Sequence, residues 1–159
     1  FYPHGCFLIK HYNQAGQLIG VYKVPNGIVD VGMEDLLDVY FQASSQSTLW
    51  YISLVDNAGF SAFADGDTMG SHAGWSEGED YTEGTRPQWT VGAASSRQIT
   101  NAATVDFSIN ATDTLKGIFI TDSATKGGAT GVLWATAAFS STVAVTSGDT
   151  LKITYTVSG

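Results

Sequence analysis

The sequence predicts an all-β fold: an antiparallel β-sandwich of immunoglobulin-like or jelly-roll-like type, with an N-terminal hairpin and one short α-helix. Three observations lead there. From Asn101 to Gly159 apolar and polar residues alternate: Val105, Phe107 and Ile109 share one face of a strand, and Leu151, Ile153, Tyr155 and Val157 repeat the pattern against Lys152, Thr154, Thr156 and Ser158. Half-buried antiparallel strands impose this period of two, because successive side chains leave opposite faces of the pleat. Between these stretches, residues 115–121 and 131–139 are apolar on both faces, as expected of strands covered on both sides. Helical spacing occurs in a single segment.

Taken in order, residues 5–24 read as a hairpin, with apolar-rich runs on either side of Asn13-Gln14-Ala15-Gly16, whose Asn and Gly supply the left-handed backbone of a tight reversal. Pro25-Asn26-Gly27 is expected to end this unit. That divides the chain into an N-terminal hairpin arm, 1–27, and a sandwich domain, 28–159, together one folded unit. Met33, Leu36, Leu37, Tyr40 and Phe41 fall at i, i+3, i+4, i+7 and i+8, with Glu34, Asp35 and Asp38 on the other side. This predicts a helix over about 33–42, its early acids set against the positive end of the helix dipole, plugging one end or edge of the sandwich. Residues 43–47 make a polar exit. Residues 48–55 form the most hydrophobic strand, expected at the centre of the fold, and 60–96 read as a long irregular loop rich in glycine and acids.

A chain of 159 residues is most simply one domain that buries about 68–70% of its unfolded surface and needs no metal or disulfide to fold. Its single cysteine, Cys6, has no internal partner and reads as a small buried apolar residue. The net charge is −8 and the basic residues never cluster, which argues against nucleic acid as a partner. Only 14% of residues are charged, and the abundance of Thr and Ser suits an exterior that packs against other chains. No apolar run approaches a membrane span and no basic segment precedes an apolar one, so the chain is expected to be soluble, without a membrane partner.

Six acids lie between residues 65 and 83. Asp65-Gly66-Asp67 resembles a fragment of a calcium loop, which makes Asp65 and Asp67 weak cation candidates, but the ligand spacing and closing Glu of an EF-hand are missing, and a solvated acidic loop is expected. Carboxylate pairs can hydrolyse glycosides, and Trp75, Tyr81 and Trp89 in the same region could stack on sugar rings. Aromatic residues in a long loop more often pin it to the core. Arg86 is expected to pair with a neighbouring acid, at little gain if exposed. His4, His11 and His72 show no zinc spacing, and nucleophile-elbow, Walker and dinucleotide-binding motifs are lacking. The sequence thus predicts neither an enzyme nor a cofactor.

The order of segments carries a resemblance. A hairpin leads through 25–32 (Pro-Asn-Gly-Ile-Val-Asp-Val-Gly) into the helical 33–41, then 49–57 (Leu-Trp-Tyr-Ile-Ser-Leu-Val-Asp-Asn) and 80–89 (Asp-Tyr-Thr-Glu-Gly-Thr-Arg-Pro-Gln-Trp). The chain closes with 116–120 (Lys-Gly-Ile-Phe-Ile), 131–134 (Gly-Val-Leu-Trp) and 147–156 (Ser-Gly-Asp-Thr-Leu-Lys-Ile-Thr-Tyr-Thr). Nearly the whole chain is similar to a group of small tailed-bacteriophage virion proteins described as head decoration or minor structural proteins. The resemblance implies a β-sandwich on the outer surface of the capsid, a non-enzymatic cement protein with the major capsid protein as partner and further copies of itself on the lattice. It transfers no functional residues, since the group has no catalytic motif.

On that reading whole surfaces do the work. The hairpin becomes an arm reaching a neighbour, with Phe7, Ile9, His11, Tyr12, Leu18 and Tyr22 as contacts, and deleting residues 1–24 is expected to leave a folded domain. The alternative is a receptor- or carbohydrate-binding module of a tail fibre or tail tip, with Trp75, Tyr81, Arg86 and Trp89 as its contact loop.

Overall fold

The alternating stretches become strands whose apolar faces meet. In the computed structural model, which describes residues 3–159, the elements run β1 (His4–Tyr12), β2 (Leu18–Ile28), α1 (Asp30–Phe41), β3 (Trp50–Asp56), β4 (Glu77–Gly78), β5 (Gln88–Trp89), β6 (Gln98–Thr100), β7 (Val105–Ser108), β8 (Asp113–Thr121), β9 (Leu133–Val145) and β10 (Thr150–Ser158). The strands make one ten-stranded sheet in the order β4-β3-β8-β9-β2-β1-β10-β6, with β5 also on β3 and β7 also on β10. Every pairing is antiparallel.

The sheet is curled, and β2 is where it turns. Residues 18–26 pair with β1, whereas Gly27 and Ile28 pair with Thr136 and Ala135 of β9. One strand therefore belongs to both halves. The halves fold over each other, so that Phe7, Ile153 and Tyr155 of one meet Ile52, Leu54 and Ile118 of the other in a single core. The expected all-β, sandwich-like class is what the chain adopts.

Pro25-Asn26-Gly27 continues β2 rather than ending it. Pro25 sits opposite Cys6 at a point where the far side of β2 is not yet paired with β9, the edge situation a strand proline requires. The hairpin is consequently no arm. β1 lies between β2 and β10 and keeps register with β10 along its full length, from His4 opposite Ser158 to Tyr12 opposite Thr150. The turn itself is built as its residues predict: Gly16 is left-handed (φ +77°), and the Asn13 carboxamide oxygen accepts the N–H groups of Ala15 and Gln17.

The strands apolar on both faces are covered on both. Ile118 and Ile120 of β8 point into the core, while Phe119, with Val55 and Leu133, packs on the outer side against Met69 and Trp75. Residues 60–76 are the cover. The long loop is therefore a second layer rather than a free acidic loop, and it contributes β4 and β5 to the sheet. β3 is buried through Ile52, Ser53, Leu54 and Val55, as its composition requires, yet it lies near one end of the strand order.

The helix starts three residues earlier than its spacing predicts and packs by a different face. Gly32 is its buried residue, whereas Leu37, Tyr40 and Phe41 of the apolar stripe are exposed. A Cβ on Gly32 would fall 2.4 Å from the Trp134 carbonyl oxygen, so glycine lets α1 approach the backbone of β9. The Val29 N–H donates to that same oxygen (3.2 Å), which anchors the first turn.

Candidate functional site

That approach of α1 to β9 places the helix over one end of the sheet. Asp35, Leu36 and Val39 of α1 line a cleft of about 630 Å3 with Trp50 of β3, Trp89 of β5 and Trp134 of β9. The size falls within the range of small-ligand and side-chain pockets. Trp50 and Trp89 are direct partners across the β3–β5 pair, and the Trp50 and Trp134 rings meet edge to face, centroids 6.1 Å apart at 62°. Two indole N–H groups are turned into the fold: Trp89 donates to the Asn101 side-chain oxygen (2.6 Å), and Trp134 to the Tyr155 hydroxyl (3.0 Å). These two rings therefore offer the cleft carbon rather than donors.

The polar lining comes from Asp35 and from short or amide side chains such as Gln46, Ser47 and Gln88, with no Lys, Arg or His lining it among the described residues. Nearby, the Ser47 hydroxyl donates to Asp122 (2.7 Å). The Asp35 carboxylate takes no hydrogen bond among the described residues. Partial burial raises its pKa above the ordinary value, and the like charges of Asp122 and Asp38 push in the same direction.

The residues the sequence singled out lie elsewhere or do other work. Phe7, Ile9 and His11 are buried, Tyr12 and Tyr22 are half-buried, and of the six hairpin candidates only Leu18 is exposed. As contacts of a free arm the first three are therefore corrected to core residues. His11 Nε2 lies 2.7 Å from Asp149 Oδ2, which also accepts the Thr146 N–H (3.0 Å). This pair locks the β9–β10 turn to β1.

The aromatic contact loop is corrected in the same way. Trp75, Tyr81 and Trp89 are only 5%, 1% and 8% exposed, so none presents an open ring face as a stacking platform, and Trp89 alone reaches the cleft. Trp75 stacks on His72 (centroids 3.9 Å) and donates its indole N–H to Asp67 (2.9 Å), which also accepts the Ala64 N–H (2.9 Å). Asp67 is thus committed to holding the loop. Asp65 is exposed, and its backbone carbonyl accepts the Asp30 N–H (2.8 Å). Among the described residues no three His, Cys, Asp or Glu side chains are grouped to hold a metal ion.

Arg86 does pair with an acid, but at 1% exposure it is a core residue, not a surface one. Its Nε and Nη2 donate to the two oxygens of Glu77 (2.9 and 2.7 Å), and Nη1 and Nη2 reach the carbonyls of Ser123 and Gly128. Glu77 also accepts the Ser53 hydroxyl and the Gly127 N–H. Ser53 lies 3.1 Å from the Tyr81 hydroxyl, whose pKa burial raises above the ordinary tyrosine value. The acidic stretch therefore anchors itself to the sheet with its own charges.

Sequence reasoning missed Asp35, Leu36, Val39, Trp50 and Trp134 as a group. The two tryptophans read as strand core and Asp35 as a dipole acid, and only the approach permitted by Gly32 assembles them. Comparison with protein-family models gives no match, and comparison with curated proteins gives none either.

Proposed function

We propose that this chain is a non-enzymatic structural protein of a bacteriophage virion that binds the outer surface of the head as a decoration or cement protein. Its partner is the major capsid protein, and its neighbours on the lattice are copies of itself. The observation that carries the reading is the last turn of α1. Tyr40 and Phe41 are 78% and 75% exposed, packing edge to face on each other (centroids 5.0 Å), beside exposed Leu37. Neighbouring large aromatics in solvent mark an interaction surface, because aromatic side chains dominate interface energetics. A second apolar group, Leu18, Ile19 and Val21, stands exposed on β2. By contrast, the charged side chains best placed for chemistry, Glu77, Arg86, Asp67 and the His11–Asp149 pair, all serve the fold.

The test is co-sedimentation of the purified protein with undecorated phage heads, paired with cryo-electron microscopy of the native particle. Tyr40→Ser/Phe41→Ser is expected to weaken head binding by about tenfold or more with unchanged melting, since each buried aromatic contributes on the order of 1–2 kcal/mol. Wild-type binding by the double variant would remove the α1 end as the docking face. Density confined to the tail would replace decoration by adhesion.

A further inference from the structure

The cleft under α1 has a chemistry that the capsid reading does not specify. We propose that it receives a lysine or arginine side chain from an extended segment of a partner protein. The walls provided by Leu36, Val39, Trp50 and Trp134 suit the methylene stem that both side chains carry. Two indoles set edge to face form an aromatic corner, whose ring quadrupoles attract a cation. Asp35 supplies a carboxylate without a hydrogen-bond partner among the described residues, in the field of Asp122 and Asp38, and no basic side chain among those residues lines the cleft to balance it. A cation entering from outside meets the Asp35 carboxylate and an apolar sleeve, with Asp122 and Asp38 adding to the negative field behind it.

The occupant is part of a chain rather than a free small molecule because the apolar surface runs on beyond the cleft. Val91 lines it and is itself exposed, and exposed Leu49 lies in sequence between the lining residues Thr48 and Trp50. Residues flanking the cation would cover these two. A neutral sugar fits less well: it would leave Asp35, the one charged side chain of the lining among the described residues, without a counter-ion, and the indole N–H groups of Trp89 and Trp134 are already used inside the fold. The inference rests on the cleft and asks nothing of a virion, so it stands or falls separately from the capsid reading.

The experiment is an NMR titration of the 15N-labelled full chain, following the indole signals of Trp50 and Trp134. The probes are acetylated, amidated pentapeptides, Ala-Leu-Lys-Leu-Ala and its arginine and norleucine counterparts. The lysine and arginine peptides are expected to give saturable shifts, and the norleucine peptide to bind about fivefold more weakly. Asp35→Asn is expected to weaken the lysine peptide by about fivefold and leave the norleucine peptide unchanged. Val39→Lys, which sets a cation of the chain's own in the cleft, is expected to abolish binding of the lysine peptide. Absence of saturable shifts with both cationic peptides would overturn the proposal. So would equal affinity for the norleucine peptide, or tighter binding of chitotriose than of the lysine peptide.

Discussion

Arg86 directs its guanidinium at three partners, the Glu77 carboxylate and the carbonyls of Ser123 and Gly128, and thereby ties the long loop to the turn after β8. Removing one member of a buried ion pair leaves the other charged and dry, at a cost of about 3–5 kcal/mol, whereas replacing both by apolar residues costs far less. Arg86→Met and Glu77→Met are each expected to lose that much in urea unfolding, and the double variant less than the sum; strictly additive losses would mean the pair is not coupled. Asp35 works in the opposite sense. Its folded pKa is raised, so the folded protein takes up a proton before the unfolded chain does, and stability is gained as pH falls through the raised value toward the ordinary carboxylate range. Compared with Asp35→Asn, the wild type should therefore melt lower at neutral pH and close the gap on acidification; a gap that widens would reverse the assignment. The effect is small because the side chain is only partly buried. That Arg86 pairs with an acid could be read from its neighbours along the chain. Its burial could not, because two of its acceptors are backbone carbonyls some 40 residues away.

Among the elements, α1 separates what a pattern reveals from what it hides. The spacing of Met33, Leu36, Leu37, Tyr40 and Phe41 identified a helix correctly and misplaced its buried face. A stripe of apolar residues reports where a helix could bury area, but the approach at Gly32 decides where it docks, and a missing side chain adds nothing to an apolar pattern. The same gap hid the cleft, whose helical wall is the face on the Gly32 side. Gly32→Ala sets two effects against each other. Alanine gains about 1 kcal/mol of helix propensity. Its Cβ, however, would lie 2.4 Å from the Trp134 carbonyl oxygen and 2.9 Å from the Trp134 Cα, atoms of backbone that cannot swing aside. Overpacking against a fixed wall costs about 1–3 kcal/mol, so the variant is expected to be less stable on balance and to change its tryptophan emission as α1 lifts from Trp134. A more stable Gly32→Ala with unaltered emission would mean that α1 has room to slide.

At the scale of the whole molecule, the period-two alternation of β7 and β10 and the two-sided apolar character of β8 and β9 made the sandwich-like class legible. Strand order was not, since alternation says which face of a strand is buried and nothing about which strand lies beside it. The hairpin shows the consequence. Read alone, residues 1–24 look like a self-contained unit closed by Pro25-Asn26-Gly27, whereas in the fold β1 is an interior strand and β2 is the join between the two halves of the sheet. Deleting residues 1–24 would strip β10 of its full-length partner and remove Phe7, which stacks on Tyr155 (centroids 4.2 Å), together with Ile9 and Val24 from the core. Burial of each such side chain contributes about 1.5–3 kcal/mol, so these three alone reach the stability of a typical domain before any lost strand pairing is counted. The truncated chain is therefore expected to lack cooperative melting by circular dichroism and to expose tryptophan to solvent. Any loss of head binding by such a truncation would then report unfolding rather than a missing arm. A cooperative transition in the truncated protein would show that the remaining strands close a core on their own.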